Sequence, residues 1–250
     1  MGTMPDDDER ILLTPGPLTT SRTVREAMLR DWGSRDPAFA AMTARVRRRL
    51  VALAGGEDTH DAVLLQGSGT FGVEAMLGTF VPVDGKVLIL VNGAYGRRMA
   101  QICRAIGRAH TVLEWDEDQP VDPAATSAAL AADAGITHVA VVYSETTSGI
   151  VNPLPEVAGV VAAAGRRLLV DAMSAFGALP CEAQTLGYEA LVASANKCLE
   201  GVPGLTFVVA RRTALAAAAG RAPSVVLDLA DQWAFMERTG QWRFTPPTHV

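Results

Sequence analysis

Arg167-Leu168-Leu169-Val170-Asp171-Ala172-Met173-Ser174 is a short apolar run that stops on an acid and then turns polar. A run this short, with no alternation of apolar and polar residues, fits a strand covered on both faces. Working outward, the same pattern predicts strands over 62–66, 86–91, 111–115, 138–143, 167–171, 191–194 and 205–210. Between them, helical spacing predicts helices over 71–80, 97–106, 123–132, 154–164 and 213–219. Asp122 is placed to cap the third of these, with Pro123 at its first position. Gly165 and Gly220 follow the last two as stops. Strand–helix alternation of this kind builds βαβ units. The expected fold is α/β: a mostly parallel seven-stranded sheet sandwiched by helices. Ligands of such sheets sit beyond the carboxyl ends of the strands, so those ends are where chemistry is to be sought.

The first sixty residues read differently. Thr14-Pro15-Gly16-Pro17 is a stiff extended segment, and helices are expected over 23–30 and 38–54. Arg45, Arg47, Arg48 and Arg49 on the second read as a solvated face. We expect an extended arm over 1–20 and one large domain over 21–250. Trp242-Arg243-Phe244-Thr245-Pro246-Pro247 resembles the entry to a further element, with the prolines as a helix start. A truncated chain is therefore expected.

Composition excludes several classes. The 250 residues are 49% hydrophobic, ample for a core. Lysine and arginine number 22 against 27 aspartate and glutamate, a net charge of −5. Neither nucleic acid nor a polybasic membrane contact is expected of that balance. Cys103, Cys181 and Cys198 are an odd, scattered set, which suits neither a disulfide framework nor a zinc cage. Residues 1–10 lack the order of a signal peptide, and no apolar run reaches the length of a membrane span. A cytoplasmic setting is expected, with no metal.

The strand ends carry distinctive residues. After the first comes Gln66-Gly67-Ser68-Gly69-Thr70, an anion cradle if the free N–H groups of a helix start face a ligand, or else an ordinary turn. The pattern G-x-x-x-x-G-K-[ST] is absent. After the second, Asn92-Gly93-Ala94-Tyr95-Gly96 offers an aromatic ring, for stacking or for core packing. After the fourth, Ser144-Glu145-Thr146-Thr147 suits ligand contacts and loop capping equally. Asp171 ends the fifth, and Ser194-Ala195-Asn196-Lys197-Cys198 follows the sixth, in a chain where lysine is scarce. A lysine beside a dry cleft can act as an amine nucleophile. Together these parts call for a ligand with an anionic group, a flat ring, a basic ring nitrogen and an aldehyde. Pyridoxal 5'-phosphate has all four.

With these residues in place the chain resembles the class V, fold-type I aminotransferases that depend on pyridoxal phosphate. The likeness runs in order through 12–21, 65–70, 92–96, 144–147, 171–174, 194–198, 201–204 and 242–245. It implies that Lys197 bonds to the cofactor and that Asp171 pairs with its ring nitrogen. It implies that Tyr95 stacks on the ring, that Ser68, Gly69 and Thr70 hold the phosphate with Asn196, and that Thr146 or Thr147 lies near the ring hydroxyl. Thr245 would reach the phosphate in the neighbouring subunit of a homodimer with active sites at the interface. Pro15 and Gly16 would line the substrate entrance. The implied activity transfers an amino group from 2-aminoethylphosphonate to pyruvate. The alternatives are alanine–glyoxylate or serine–pyruvate exchange, or a cofactor-binding fragment without turnover.

Overall fold

The computed structural model describes residues 11–250. Half of the arm expected over 1–20, and the segment read for a signal peptide, lie outside the described residues. Two helices come first, α1 (Arg22–Ala27) and α2 (Pro37–Leu53). The alternating region follows as β1 (His60–Gln66), α3 (Gly69–Phe80), β2 (Lys86–Val91), α4 (Ala94–Ala105), β3 (Ala109–Glu114), α5 (Pro123–Ala132) and β4 (Ile136–Val142). A small hairpin, β5 (Ser144–Glu145) and β6 (Ile150–Val151), precedes α6 (Leu154–Ala163), β7 (Arg167–Asp171), α7 (Ala183–Leu186) and β8 (Ala190–Ser194). The chain then runs through β9 (Leu205–Arg211), α8 (Arg212–Ala217) and α9 (Leu229–Thr239).

Seven strands form one sheet in the order β1-β9-β8-β7-β4-β2-β3. Strands β8, β7, β4, β2 and β3 pair in parallel. Only β9 is reversed, antiparallel to β1 and to β8. The expected α/β sandwich is therefore the fold. Its strands are near-continuous apolar runs because both faces are covered. In β2, Leu88 and Leu90 pack toward α5 and α6, while Val87, Ile89 and Val91 pack toward α3 and α4. All five of those side chains are at most 1% exposed. Burying each one contributes about 1.5–3 kcal/mol before conformational entropy is counted.

Several expectations need correction. Helix α4 starts three residues before the expected 97, so Tyr95 sits in its first turn. Helix α3 starts at Gly69 rather than 71, with Ser68 as its N-cap residue. The β5–β6 hairpin, α7 and α9 were not anticipated. Pro246 and Pro247 begin no helix; a turn closed by the Val250 N–H on the Pro247 carbonyl at 3.0 Å follows instead. Arg47 is not solvated like its neighbours: its Nε donates to the Ala62 carbonyl at 2.7 Å and its Nη2 pairs with Glu237. It ties α2 to the sheet edge and to α9. The Asp122 cap is as expected, accepting the Ala124 N–H at 2.8 Å.

Candidate active site

Because six of the seven strands run the same way, their carboxyl ends open on one side of the sheet. A cavity of about 500 Å³ lies there. The turn after β1 contributes Ser68, Gly69 and Thr70, and α4 contributes Tyr95. Thr146 arrives from the hairpin loop, Asp171 from the end of β7, and Asn196 and Lys197 from the loop after β8. Gly16 closes over them from the N-terminal segment. Two expected residues stand apart. Pro15 is exposed and outside the lining. Thr245 is exposed beside a separate hollow formed with Gln66, Phe71 and Trp242.

Asp171 is 2% exposed, and its Oδ1 accepts the Met173 N–H at 3.0 Å. Burial pushes its carboxyl up to about 6, partly opposed by that N–H, with the Glu145 charge adding to the rise and Lys197 and Arg98 lowering it. A carboxyl in this condition takes up a cation readily, since a positive partner replaces the water it has lost. Lys197 is half-buried. Among the described residues its Nζ has one hydrogen-bond partner, the Gly16 carbonyl at 3.4 Å, and no carboxylate. Strand pairing brings Asp171 opposite Val192, two residues before β8 ends, and the loop that follows carries Lys197 into the same cavity.

Close approach explains Gly16. Its φ is +151°, and a Cβ there would collide with the Asn196 carbonyl and lie 2.5 Å from Lys197 Cδ. Only a residue without a side chain lets the backbone lie across the lysine. We expect Gly16→Ala to lift this segment rather than unfold the sheet, because residues 11–20 are mostly exposed. Amide exchange over 11–20 should quicken while the melting temperature stays near the parent's. An equal loss of protection across the core strands would refute that separation.

Two functional features were missed in the sequence. The first is the particular part played by Glu145, which the sequence offered only as a ligand contact or a loop cap. Glu145 is fully buried against Gly93, the N-cap residue of α4, which has no side chain to cap the helix. Glu145 Oε1 accepts the Thr147 hydroxyl at 2.9 Å and lies 3.5 Å from the N–H groups of Tyr95 and Thr147. A carboxylate at a helix N-terminus also meets its partial positive charge. One acid thus links the first turn of α4, which carries Tyr95, to the hairpin loop that carries Thr146, a contact between elements that no local pattern signals. The second is Arg98, which also lines the cavity. With α4 starting at Ala94, it stands three residues after Tyr95 on the same helix face.

The fold is that of the class V aminotransferases. The aminotransferase class-V family model matches residues 24–227, and the chain belongs to that family, whose members use pyridoxal phosphate. Over 240 residues the chain is 58% identical to a 2-aminoethylphosphonate–pyruvate transaminase of Pseudomonas putida (strain GB-1). A protein of the same description from Burkholderia lata is 59% identical. Each match covers 96% of this chain, which spans only 65% and 64% of those relatives' lengths. Among solved structures, the pyridoxamine–pyruvate aminotransferase of Mesorhizobium loti superposes with a TM-score of 0.87 at 27% identity, covering 100% of this chain and 64% of its own. The alanine–glyoxylate aminotransferase of Nostoc sp. gives 0.90 at 24% identity, covering 100% and 67%, a likeness of fold.

Proposed function

We propose that this cavity holds pyridoxal 5'-phosphate and that the chain transfers the amino group of 2-aminoethylphosphonate to pyruvate, giving phosphonoacetaldehyde and L-alanine. One observation carries the reading: the Lys197 amine, free of any carboxylate among the described residues, and the buried Asp171 carboxyl line one cavity. The donor set fits the group. Asp171 offers a buried negative charge to a ring nitrogen, and the α3 N-terminus offers N–H groups to a phosphate. The choice of donor rests on the Pseudomonas and Burkholderia relatives.

When bound, the cofactor supplies an aldehyde that takes up an amino group and a ring that withdraws electrons from the adjoining carbon. The protein does the rest. Asp171 keeps the proton on the ring nitrogen. Ser68, Gly69, Thr70 and Asn196 secure the phosphate. Tyr95 covers one face of the ring, and Thr146, hydrogen-bonded to Ser174 at 2.6 Å, presents a hydroxyl at its edge. The Lys197 amine removes a proton from the donor's amino-bearing carbon and returns one during the exchange. The donor carbon loses two electrons and the pyruvate carbonyl carbon gains two, so no outside oxidant is required.

The reading extends to the whole assembly. We take 11–20 as the described part of an arm and 21–250 as one cofactor-binding domain, acting in a homodimer in which Thr245 serves the neighbouring site. A cytoplasmic setting goes with the three unpaired cysteines. Among the described residues no helix is long and apolar enough to cross a membrane. The test is a substrate panel on the purified chain with added cofactor. Alanine should form from 2-aminoethylphosphonate and pyruvate, and not from serine and pyruvate. Glycine formed from alanine and glyoxylate in preference would overturn the substrate assignment. Cofactor uptake with no product from any pair would overturn the activity.

A further inference from the structure

We propose that Arg98 is a further anion-anchoring residue of this cavity, its guanidinium gripping the phosphate of the bound cofactor beside the α3 N-terminus. The proposal rests on the cofactor reading above and assigns a residue which that reading leaves idle.

Arg97 and Arg98 are adjacent on α4 and exposed alike, yet they face different surroundings. Arg97 is spent on the outer surface, pairing with Glu114 at 2.8 Å and Glu117 at 2.6 Å. Arg98 has no carboxylate partner among the described residues. Its Nη1 points at the Thr70 hydroxyl, 3.3 Å away, in the first turn of α3. Its guanidinium carbon stands 4.9 Å from the centroid of the Tyr95 ring. Helical side chains lean toward their own N-terminus, which here means toward the strand ends and the cavity. The Tyr95 face and the Thr70 hydroxyl together hold a full positive charge at the rim of the cradle, where little else competes for it.

Charge balance argues for an anion. Among the described residues Asp171 is the only carboxylate in the cavity lining, which also holds two cations, Lys197 and Arg98. Asp171 is assigned to a ring nitrogen and Lys197 to an aldehyde, which leaves Arg98 uncompensated. A phosphate brings nearly two negative charges, while a helix N-terminus supplies only about half a positive one. A guanidinium fork within reach of the same turn makes up the difference, with charge-assisted bonds to oxygen. A phosphonate on the substrate has the same chemistry. The contact with Thr70, a residue of the cradle itself, favours the cofactor's phosphate.

The test compares two aldehydes that differ only in the phosphate. The parent chain, Arg98→Gln and Arg98→Lys are each titrated with pyridoxal 5'-phosphate and with pyridoxal, following absorbance. Arg98→Gln should bind pyridoxal phosphate about 10-fold to 100-fold more weakly, the range set by one charged hydrogen-bonded contact, with pyridoxal affinity unchanged. Arg98→Lys should fall between, keeping the charge without the fork. An equal loss for both aldehydes would mean that Arg98 only shapes the pocket, and the proposal fails. Unchanged cofactor affinity with a raised KM for 2-aminoethylphosphonate would move the charge to the substrate and also overturn it. If the parent binds neither aldehyde, the cofactor reading itself falls and takes this proposal with it; tight parental binding with no effect of Arg98→Gln removes this proposal alone.

Discussion

Lys197→Ala should leave a folded protein that cannot be joined to its cofactor. In the parent, borohydride should fix pyridoxal phosphate to the chain, and a peptide map should find it on Lys197. The variant should show neither the bound absorbance band nor the modified peptide. Loss of the amine as proton carrier alone lowers turnover by about 100-fold to 10,000-fold. Loss of the covalent link adds to that. Stability should change little, because Lys197 is half-buried and, among the described residues, its Nζ makes a single 3.4 Å contact with a carbonyl. A small soluble amine, added in excess, should restore part of the rate, since the deleted group is a proton carrier of that kind. A modified peptide elsewhere, or an undiminished band in the variant, would show that another amine serves the cavity.

The fold was readable because burial leaves a mark on composition. Strands covered on both faces must be apolar throughout, so β2 and β7 were predicted at their observed bounds. The reversal of β9 left no such mark, since a buried strand looks the same in either direction. Helix α9 was missed because its pattern follows an irregular stretch. The site was readable for a topological reason. Parallel strands deliver their following loops to one edge, so a list of strand-end residues approximates a list of neighbours. What that logic cannot see is a contact made across elements. Glu145 caps α4 from another strand, and so the true start of α4, and the place of Tyr95 within it, were hidden. Arg98 was hidden for the related reason that, with α4 predicted to begin at 97, Tyr95 lay outside the helix and the two did not share a face.

Asp171→Asn should separate stability from function. Folding raises the carboxyl from 3.8 to about 6, chiefly through burial. The fold therefore favours the protonated form. The stability this group contributes is complete below about pH 4 and is lost as pH rises through about 6. A shift of two pH units corresponds to on the order of 3 kcal/mol. Asparagine has the same shape, cannot ionise, and keeps an oxygen for the Met173 N–H. Without cofactor, Asp171→Asn should be more stable than the parent at pH 7.5, by up to about 3 kcal/mol, and the gap should close toward pH 4. With cofactor the order should reverse. The parent gains stability by mass action, because a cation on the ring nitrogen settles the buried charge. The variant has no charge to offer and should bind the cofactor about 100-fold or more weakly, as when one partner of a buried ion pair is removed. Urea unfolding at the two pH values, with and without pyridoxal phosphate, reads all four states. A variant less stable than the parent at pH 7.5 without cofactor would mean that the carboxylate already has a cationic partner within the protein. A variant that gains as much from cofactor as the parent would mean that the ring nitrogen lies elsewhere.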